Sequence, residues 1–164
     1  MTPEIRTILY ATDLSENARH AFSYAADLAD KYSAAITILY VMEPCNQTME
    51  VQVSEMVGPE KWRELKEEKR AYLSRQIENR LQEFCREMEA AYDSCRLLAE
   101  DIRIEKGSPH EVILEVSDSI EADPIVMGTH GYNILKDAFI GGTARKVVRA
   151  SRIPVLTVRL PGGR

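Results

Sequence analysis

Cysteine is scarce in this chain. Its 164 residues hold only Cys45, Cys85 and Cys95. There is no C-x-x-C, and the spacing is too wide and irregular for a disulfide framework. The plain reading is three reduced thiols in a reducing compartment. Histidine is equally scarce. His20, His110 and His130 stand apart from any Cys or Asp at ligand spacing, which argues against a structural zinc site. Positive charge is also in deficit, with 21 Lys and Arg against 26 Asp and Glu and a net charge of −5. A protein that holds nucleic acid through its phosphates needs a basic surface, so no nucleic acid partner is expected. No apolar run approaches the ~20 residues of a membrane-spanning helix, so no membrane partner is expected either. The opening MTPEIRTILYATD lacks the charged start and apolar core of a signal peptide. Together these absences predict a cytoplasmic protein.

Two familiar phosphate loops are missing as well. There is no GxxxxGK[ST], which excludes a P-loop NTPase, and no GxGxxG follows the first strand, which argues against a dinucleotide fold of the usual kind. A different glycine pattern is present. Ile125 to Thr143 reads IVMGTHGYNILKDAFIGGT. A short apolar run breaks at Gly128 and Gly131, and nine residues later at Gly141 and Gly142. ARKVVRAS follows, and the spacing of Ala144, Val147, Val148 and Ser151 suits a helix. The order strand, glycine loop, glycine pair, helix is that of an anion cradle. Glycines let backbone N–H groups approach a phosphate, and the helix N-terminus adds unpaired donors and partial positive charge.

The rest of the chain alternates in type. Ile5–Ala11 reads as a strand ending at Thr12 and Asp13. Ser15 suits the N-cap of a helix with an alanine-rich stripe, Ala18, Ala21, Phe22, Ala25, Leu28, Ala29 and Tyr32. Ala35–Met42 is an apolar, β-branched run of the kind that is covered on both faces of a parallel sheet. Glu43–Gly58 reads as an irregular insertion, a surface loop. Pro59 opens a long charged helix. If unbroken to Ala91 it spans about 50 Å, so its first turns project or pack on a partner. Its apolar stripe runs from Trp62 to Tyr92. Arg96–Ile104 reads as the third strand. Ser108, Pro109 and Glu111 form a capping box for a helix carrying Val112, Ile113, Val116 and Ile120. Pro124–Gly128 is the fourth strand and Ile153–Arg159 the fifth, with Pro154 marking a sheet edge or strand entry.

This β-α-β-α-β-α-β-α-β order predicts an open five-stranded parallel sheet with helices on both faces. The flavodoxin-like order 3-2-1-4-5 puts strand 1 beside strand 4, where ligands bind at the reversal of winding. Asp13 and the glycine loop then face one cleft. Residues 1–164 are expected to form one domain, with the insertion at 43–58.

With its flanking residues, the G-x2-G-x9-G pattern resembles the universal stress protein family, in its ATP-binding branch. The resemblance covers nearly the whole chain outside 43–58. It implies binding of ATP, with Mg²⁺ carried on the nucleotide, and a regulator with at most slow hydrolysis and no assigned catalytic residue. It places Ala11, Thr12 and Asp13, the end of the first strand, by adenine and ribose, and gives Val41 a backbone contact to adenine. Met127, Gly128, Gly131, Gly141, Gly142, Thr143 and Ala144 match the loop that holds ribose and phosphates. The family pattern ends in Gly then Ser or Thr. Here Gly142 follows Gly141, and the hydroxyl comes one place later on Thr143. The resemblance further implies a homodimer through the last strand at Val155, Leu156, Thr157 and Val158, and a protein partner it does not identify.

Plainer roles stand beside these. Asp13 also suits a turn or helix cap, Gly128 and Gly131 a tight turn, the glycine pair a packing device or hinge, and Thr143 an N-cap. His130, placed to act as a general base, also suits a simple turn position, and Lys136, Arg145 and Lys146, placed to balance phosphate charge, a solvated surface. A nucleotide-free interaction module of the same fold, or a slow ATPase, also fits. Valine at Gly128 or Gly141 is expected to block a phosphate while sparing the fold.

Overall fold

The computed structural model describes residues 4–44, 46–91, 102–130 and 140–161. Five strands and five helices follow in the order β1 (Thr7–Ala11), α1 (Glu16–Tyr32), β2 (Ala35–Met42), α2 (Gln47–Val57), α3 (Pro59–Ala91), β3 (Ile102–Lys106), α4 (Pro109–Ser119), β4 (Ile125–Gly128), α5 (Gly142–Ala150) and β5 (Val155–Val158). All strand pairs are parallel, and the sheet order is β3-β2-β1-β4-β5. The flavodoxin-like order expected from the sequence is the one observed.

Alternation along β1 sorts its side chains into two layers. Ile8 and Tyr10 join Ala21, Phe22 and Ala25 of α1 and Ile77, Leu81 and Phe84 of α3 on one face. Leu9 and Ala11 join Val112, Ile113 and Val116 of α4 and Ala144 and Val147 of α5 on the other. The alanine stripe lets α1 lie close to the sheet. Tyr10, Phe22 and Phe84 are fully buried and meet ring to ring at 5.1 to 6.1 Å. The Tyr10 hydroxyl donates to the Ala18 carbonyl at 2.5 Å. Burial holds its pKa well above the ordinary phenol value, and the opposing pull of Arg19 does not offset it. At the opposite edge of the sheet, Asp123 Oδ2 accepts from the backbone N–H of Arg6 at 2.6 Å and of Thr7 at 2.9 Å. That carboxylate pins the start of β1 to the loop before β4.

Several boundaries and two motifs differ from expectation. The 43–58 insertion is not irregular, for its core is α2. Asn46 caps the helix by accepting from Thr48 N at 3.1 Å, and Gly58 ends it at φ 89°. The alternation VQV suggested extended chain, but a cap at 46 and a left-handed glycine at 58 frame a helix. The capping box at Ser108 does not form. Ser108 Oγ pairs with His110 Nδ1 at 3.0 Å, and no side chain caps α4, although Pro109 does occupy its first turn. Thr143 is not an N-cap, because Gly141 holds that position. β3 runs to Lys106, beyond Ile104, while residues 96–101 and Tyr92 lie outside the described residues.

β2 and β3 are parallel, so the chain must return from the C-terminal edge of the sheet to its N-terminal edge between them. α3 makes that return. Its second half packs on the sheet through Ile77, Leu81, Phe84 and Cys85. Its first half stands beyond the C-terminal edge and packs against α2, leaving Tyr72 60% exposed. The 33-residue helix is unbroken, as expected. Among the described residues no helix is long and apolar enough to cross a membrane.

Candidate functional site

β1 leads into α1 on one face and β4 leads into α5 on the other, so the chain opens a crevice between the two strands at their C-terminal ends. A cleft of about 510 Å³ occupies it, a size usual for small-molecule sites. The turn after β1 is held by its own side chains. Thr12 Oγ1 accepts from Leu14 N at 3.0 Å, Asp13 Oδ1 from Ser15 N at 2.9 Å, and Ser15 Oγ from Ala18 N at 3.1 Å. Leu14 adopts φ 63° at the centre of the turn. Asp13 therefore has the turn role that the sequence offered, and it also lies at the cleft. One carboxylate oxygen shapes the turn, and the residue lines the cleft, where its other oxygen has no partner among the described residues.

The opposite wall is the β4–α5 segment. Thr129 N donates to the Val158 carbonyl at 2.9 Å, and Gly141 N donates to the Thr129 carbonyl at 2.6 Å. Thr129 and Gly141 thus meet at the point where α5 starts. The first helical bond of α5 runs from Arg145 N to the Gly141 carbonyl at 3.0 Å. The N–H groups of Gly142, Thr143 and Ala144 therefore lack intrahelical acceptors, and among the described residues no side chain caps them. All three residues line the cleft. An anion is the natural acceptor for such an array.

The three described glycines of the pattern do different things. None has a positive φ. A Cβ on Gly141 would lie 2.8 Å from the Thr129 carbonyl oxygen, so that glycine permits the close approach that shuts the loop. A Cβ on Gly128 would lie 2.5 Å from Asn17 Oδ1 and 3.3 Å from Ala18 N, so that glycine permits β4 to pack on α1. A Cβ on Gly142 would meet nothing within 4 Å among the described residues. The expectation that valine at Gly128 or Gly141 leaves the fold intact is overturned, because both side chains would drive into protein.

The structure brings together Ala11, Thr12, Asp13, Val41, Met127, Gly128, Gly141, Gly142, Thr143 and Ala144 around the one cleft. Gly131 and Lys136 lie outside the described residues. Arg145 and Lys146 are exposed on α5 and do not line the cleft. His130 lines it, with Nδ1 2.8 Å from Thr129 Oγ1. Eight lining residues were not singled out for the site in the sequence: Ala18, Leu39, Tyr40, Glu43, Arg80, Pro109, Ile113 and Thr129. Pro109 and Ile113 were placed on a helix but not at its cleft end, and a helix following β3 in this topology carries that signal. Asn17 was missed too. It is buried behind Gly128, donates through Nδ2 to the Val158 carbonyl at 3.3 Å, and has an Oδ1 without a partner among the described residues. Among those residues no group of three or more acidic, His or Cys side chains is placed to hold a metal.

At β5 the four expected interface residues split. The strand pairs only with β4 and is a sheet edge. Leu156 is exposed, whereas the Val158 side chain is buried in the α1 layer and its carbonyl is already engaged twice. Val158 is therefore a core residue.

Comparison with known proteins bears on this geometry. The family model described as the universal stress protein family matches residues 4–159. A universal stress protein of Methanocaldococcus jannaschii is 26% identical over 97% of this chain and 98% of its own. Its solved structure superposes with a TM-score of 0.72, covering 97% of this chain and 99% of that one. A universal stress protein of Thermus aquaticus is 31% identical over 94% of this chain and 98% of its own. A universal stress protein solved in complex with cAMP shares the fold, with a TM-score of 0.61 at 21% identity over 94% of this chain and 97% of that one. The chain belongs to the universal stress protein family.

Proposed function

We propose that the cleft between β1 and β4 binds ATP and that the protein, a single domain over residues 1–164, acts as a nucleotide-dependent regulator in the cytoplasm. The observation that carries this is the array of uncapped N–H groups at Gly142, Thr143 and Ala144, facing a carboxylate at Asp13 across the cleft. Such an array suits phosphate oxygens, and a carboxylate suits ribose hydroxyls. Apolar Val41, Ile113 and Met127 supply walls for a base. Mg²⁺ would travel on the phosphates, since that ion keeps most of its water and takes few protein ligands. A protein of this fold has been solved with cAMP, which supports the class of ligand but not the choice of ATP.

A second reading is a homodimeric interaction module without nucleotide. The absence of a hydroxyl at Gly142 favours it, and the exposed edge of β5 serves either reading. On both readings two copies pair along β5, and a negative charge at Leu156 separates them. Light scattering of Leu156→Glu checks this, and an unchanged dimer points to another surface.

The test of the nucleotide reading is direct. Denature purified protein and identify any released small molecule by mass spectrometry, then titrate stripped protein with ATP by calorimetry. Stoichiometric adenine nucleotide or micromolar ATP binding is the expected result. Neither ligand nor heat refutes the nucleotide reading and leaves the interaction module. ATP turnover linear in time would instead make the protein a slow ATPase.

A further inference from the structure

The lining of the cleft includes a cation that comes from neither of its glycine-bearing walls. Arg80 reaches it from α3 and is the only lysine or arginine among the described lining residues. The other fully charged groups there are Asp13 and Glu43. Arg80 makes no ion pair among the described residues, whereas Arg6, Arg19, Lys61 and Lys66 each hold a carboxylate within 3.3 Å. Its place on the backbone is fixed. Ile77, Leu81 and Phe84 around it are buried against the sheet, so its Cα is held where α3 leaves the sheet edge while its side chain stays exposed.

Its position along the cleft separates it from the phosphate donors. Arg80 shares a layer with Tyr40, which packs on the α1–α3 face of β2. The donors at Gly142 to Ala144 begin α5, which follows β4, whereas Val41, the base wall on β2, is the next residue along the same strand as Tyr40. Distance along the sheet, and not the choice of face, therefore sets Arg80 nearer the base than the phosphates. β2 and β4 lie two strand spacings apart, about 10 Å. We propose that Arg80 contacts the base of the bound nucleotide, with its guanidinium lying flat against the purine ring. This rests on the nucleotide reading above. A planar, weakly hydrated cation suits the face of an aromatic ring, and an ammonium does not replace its shape.

The experiment is a calorimetric titration of adenosine and ATP into the unaltered protein, Arg80→Ala and Arg80→Lys, each at low and high salt. Arg80 is exposed, so both variants should keep the far-ultraviolet dichroism and melting profile of the parent. The expected result is that Arg80→Ala loses about tenfold in affinity for adenosine and for ATP alike. Arg80→Lys recovers little, and the ratio of the losses is insensitive to salt. Undiminished adenosine and ATP affinity in Arg80→Ala, with the parent binding both, overturns the assignment alone. Loss confined to ATP, rescued by lysine and erased by salt, moves the guanidinium to the phosphates and overturns the base contact. A parent that binds neither compound refutes the nucleotide reading itself, and the Arg80 assignment falls with it.

Discussion

Adjacent glycines given the same added methyl should respond in opposite directions. In Gly141→Ala the new Cβ starts 2.8 Å from the Thr129 carbonyl oxygen, where ordinary contact begins near 3.4 Å. Backbone must move by about 0.6 Å, because the clashing atom is a main-chain oxygen that already accepts the 2.6 Å bond from Gly141 N. Overpacking of that kind costs about 1–3 kcal/mol. The smaller unfolded-state entropy of alanine returns about 0.4–1 kcal/mol. With mid-range values of both, the net loss is roughly 1–2 kcal/mol. In Gly142→Ala the methyl meets nothing within 4 Å at the first position of α5. Only the favourable contribution remains, a gain of up to about 1 kcal/mol. For a chain of this size each kcal/mol moves Tm by about 2–4 °C. Thermal unfolding followed by circular dichroism should therefore lower Tm by roughly 2–8 °C for Gly141→Ala and raise it by up to about 4 °C for Gly142→Ala. Equal shifts of one sign would refute the argument that close approach, rather than a shared need for backbone freedom, explains the pair. The same two positions bear on function. Gly141→Ala displaces the start of α5 and should weaken ATP binding. Gly142→Ser fits sterically and restores the family's hydroxyl one place earlier, so it should hold or strengthen ATP binding in the calorimeter.

Gly128→Ala should destabilise by about 1–3 kcal/mol, since its methyl meets Asn17 Oδ1 at 2.5 Å. Asn17→Ala removes that atom, so in a double-mutant cycle by urea denaturation the pair should cost clearly less than the sum of the singles, and strict additivity would contradict the contact. Asp123→Ala deletes the acceptor of two backbone N–H groups at the start of β1 and should cost about 2 kcal/mol without altering ATP affinity. A wild-type urea midpoint would show that water replaces the carboxylate at no cost. Asp13→Ala should weaken adenosine and ATP together in calorimetry, and loss of ATP alone would contradict a place by the ribose.

The parts of the fold that were legible in the sequence are those with a period. β1 and β2 announce themselves as apolar runs, α1 as an alanine stripe, and the Ala11–Ser15 turn as hydroxyl and carboxylate caps in series. α2 was hidden because its apolar residues have no core to face. Met49 and Met56 point to solvent, so no buried stripe marks the helix, and VQV imitates a strand. The Ser108 box failed for a different reason. The motif supplies the side chains, but His110 offers Ser108 Oγ a nearer partner. At the site, the glycine spacing located the loop but could not say which way each missing Cβ would point. Gly128 faces α1, Gly141 faces Thr129, and Gly142 faces open space. Those directions depend on packing between elements more than 100 residues apart, as in the Asn17 to Val158 bond. Arg80 carried no local signal at all, since its place in the cleft follows from where α3 crosses the sheet edge, whereas Glu43 lies there because it directly follows the C-terminal end of β2.

The same crossing explains why this cleft draws on both layers of the core. β1 sends the chain to the α1–α3 face and β4 sends it to the α4–α5 face, so no connection can bridge the crevice between them. What lines the crevice must come from whichever helices happen to end or pass there. From one layer come Ala18 and Arg80, and from the other Ile113 and Ala144. A ligand in the crevice would touch side chains that otherwise meet only through the sheet. α3 passes the crevice at Arg80 and continues some twenty residues past the sheet edge to Pro59, carrying α2 with it. Any ligand that engages Arg80 would therefore touch the helix whose first half packs against α2, where Met49 and Met56 are exposed.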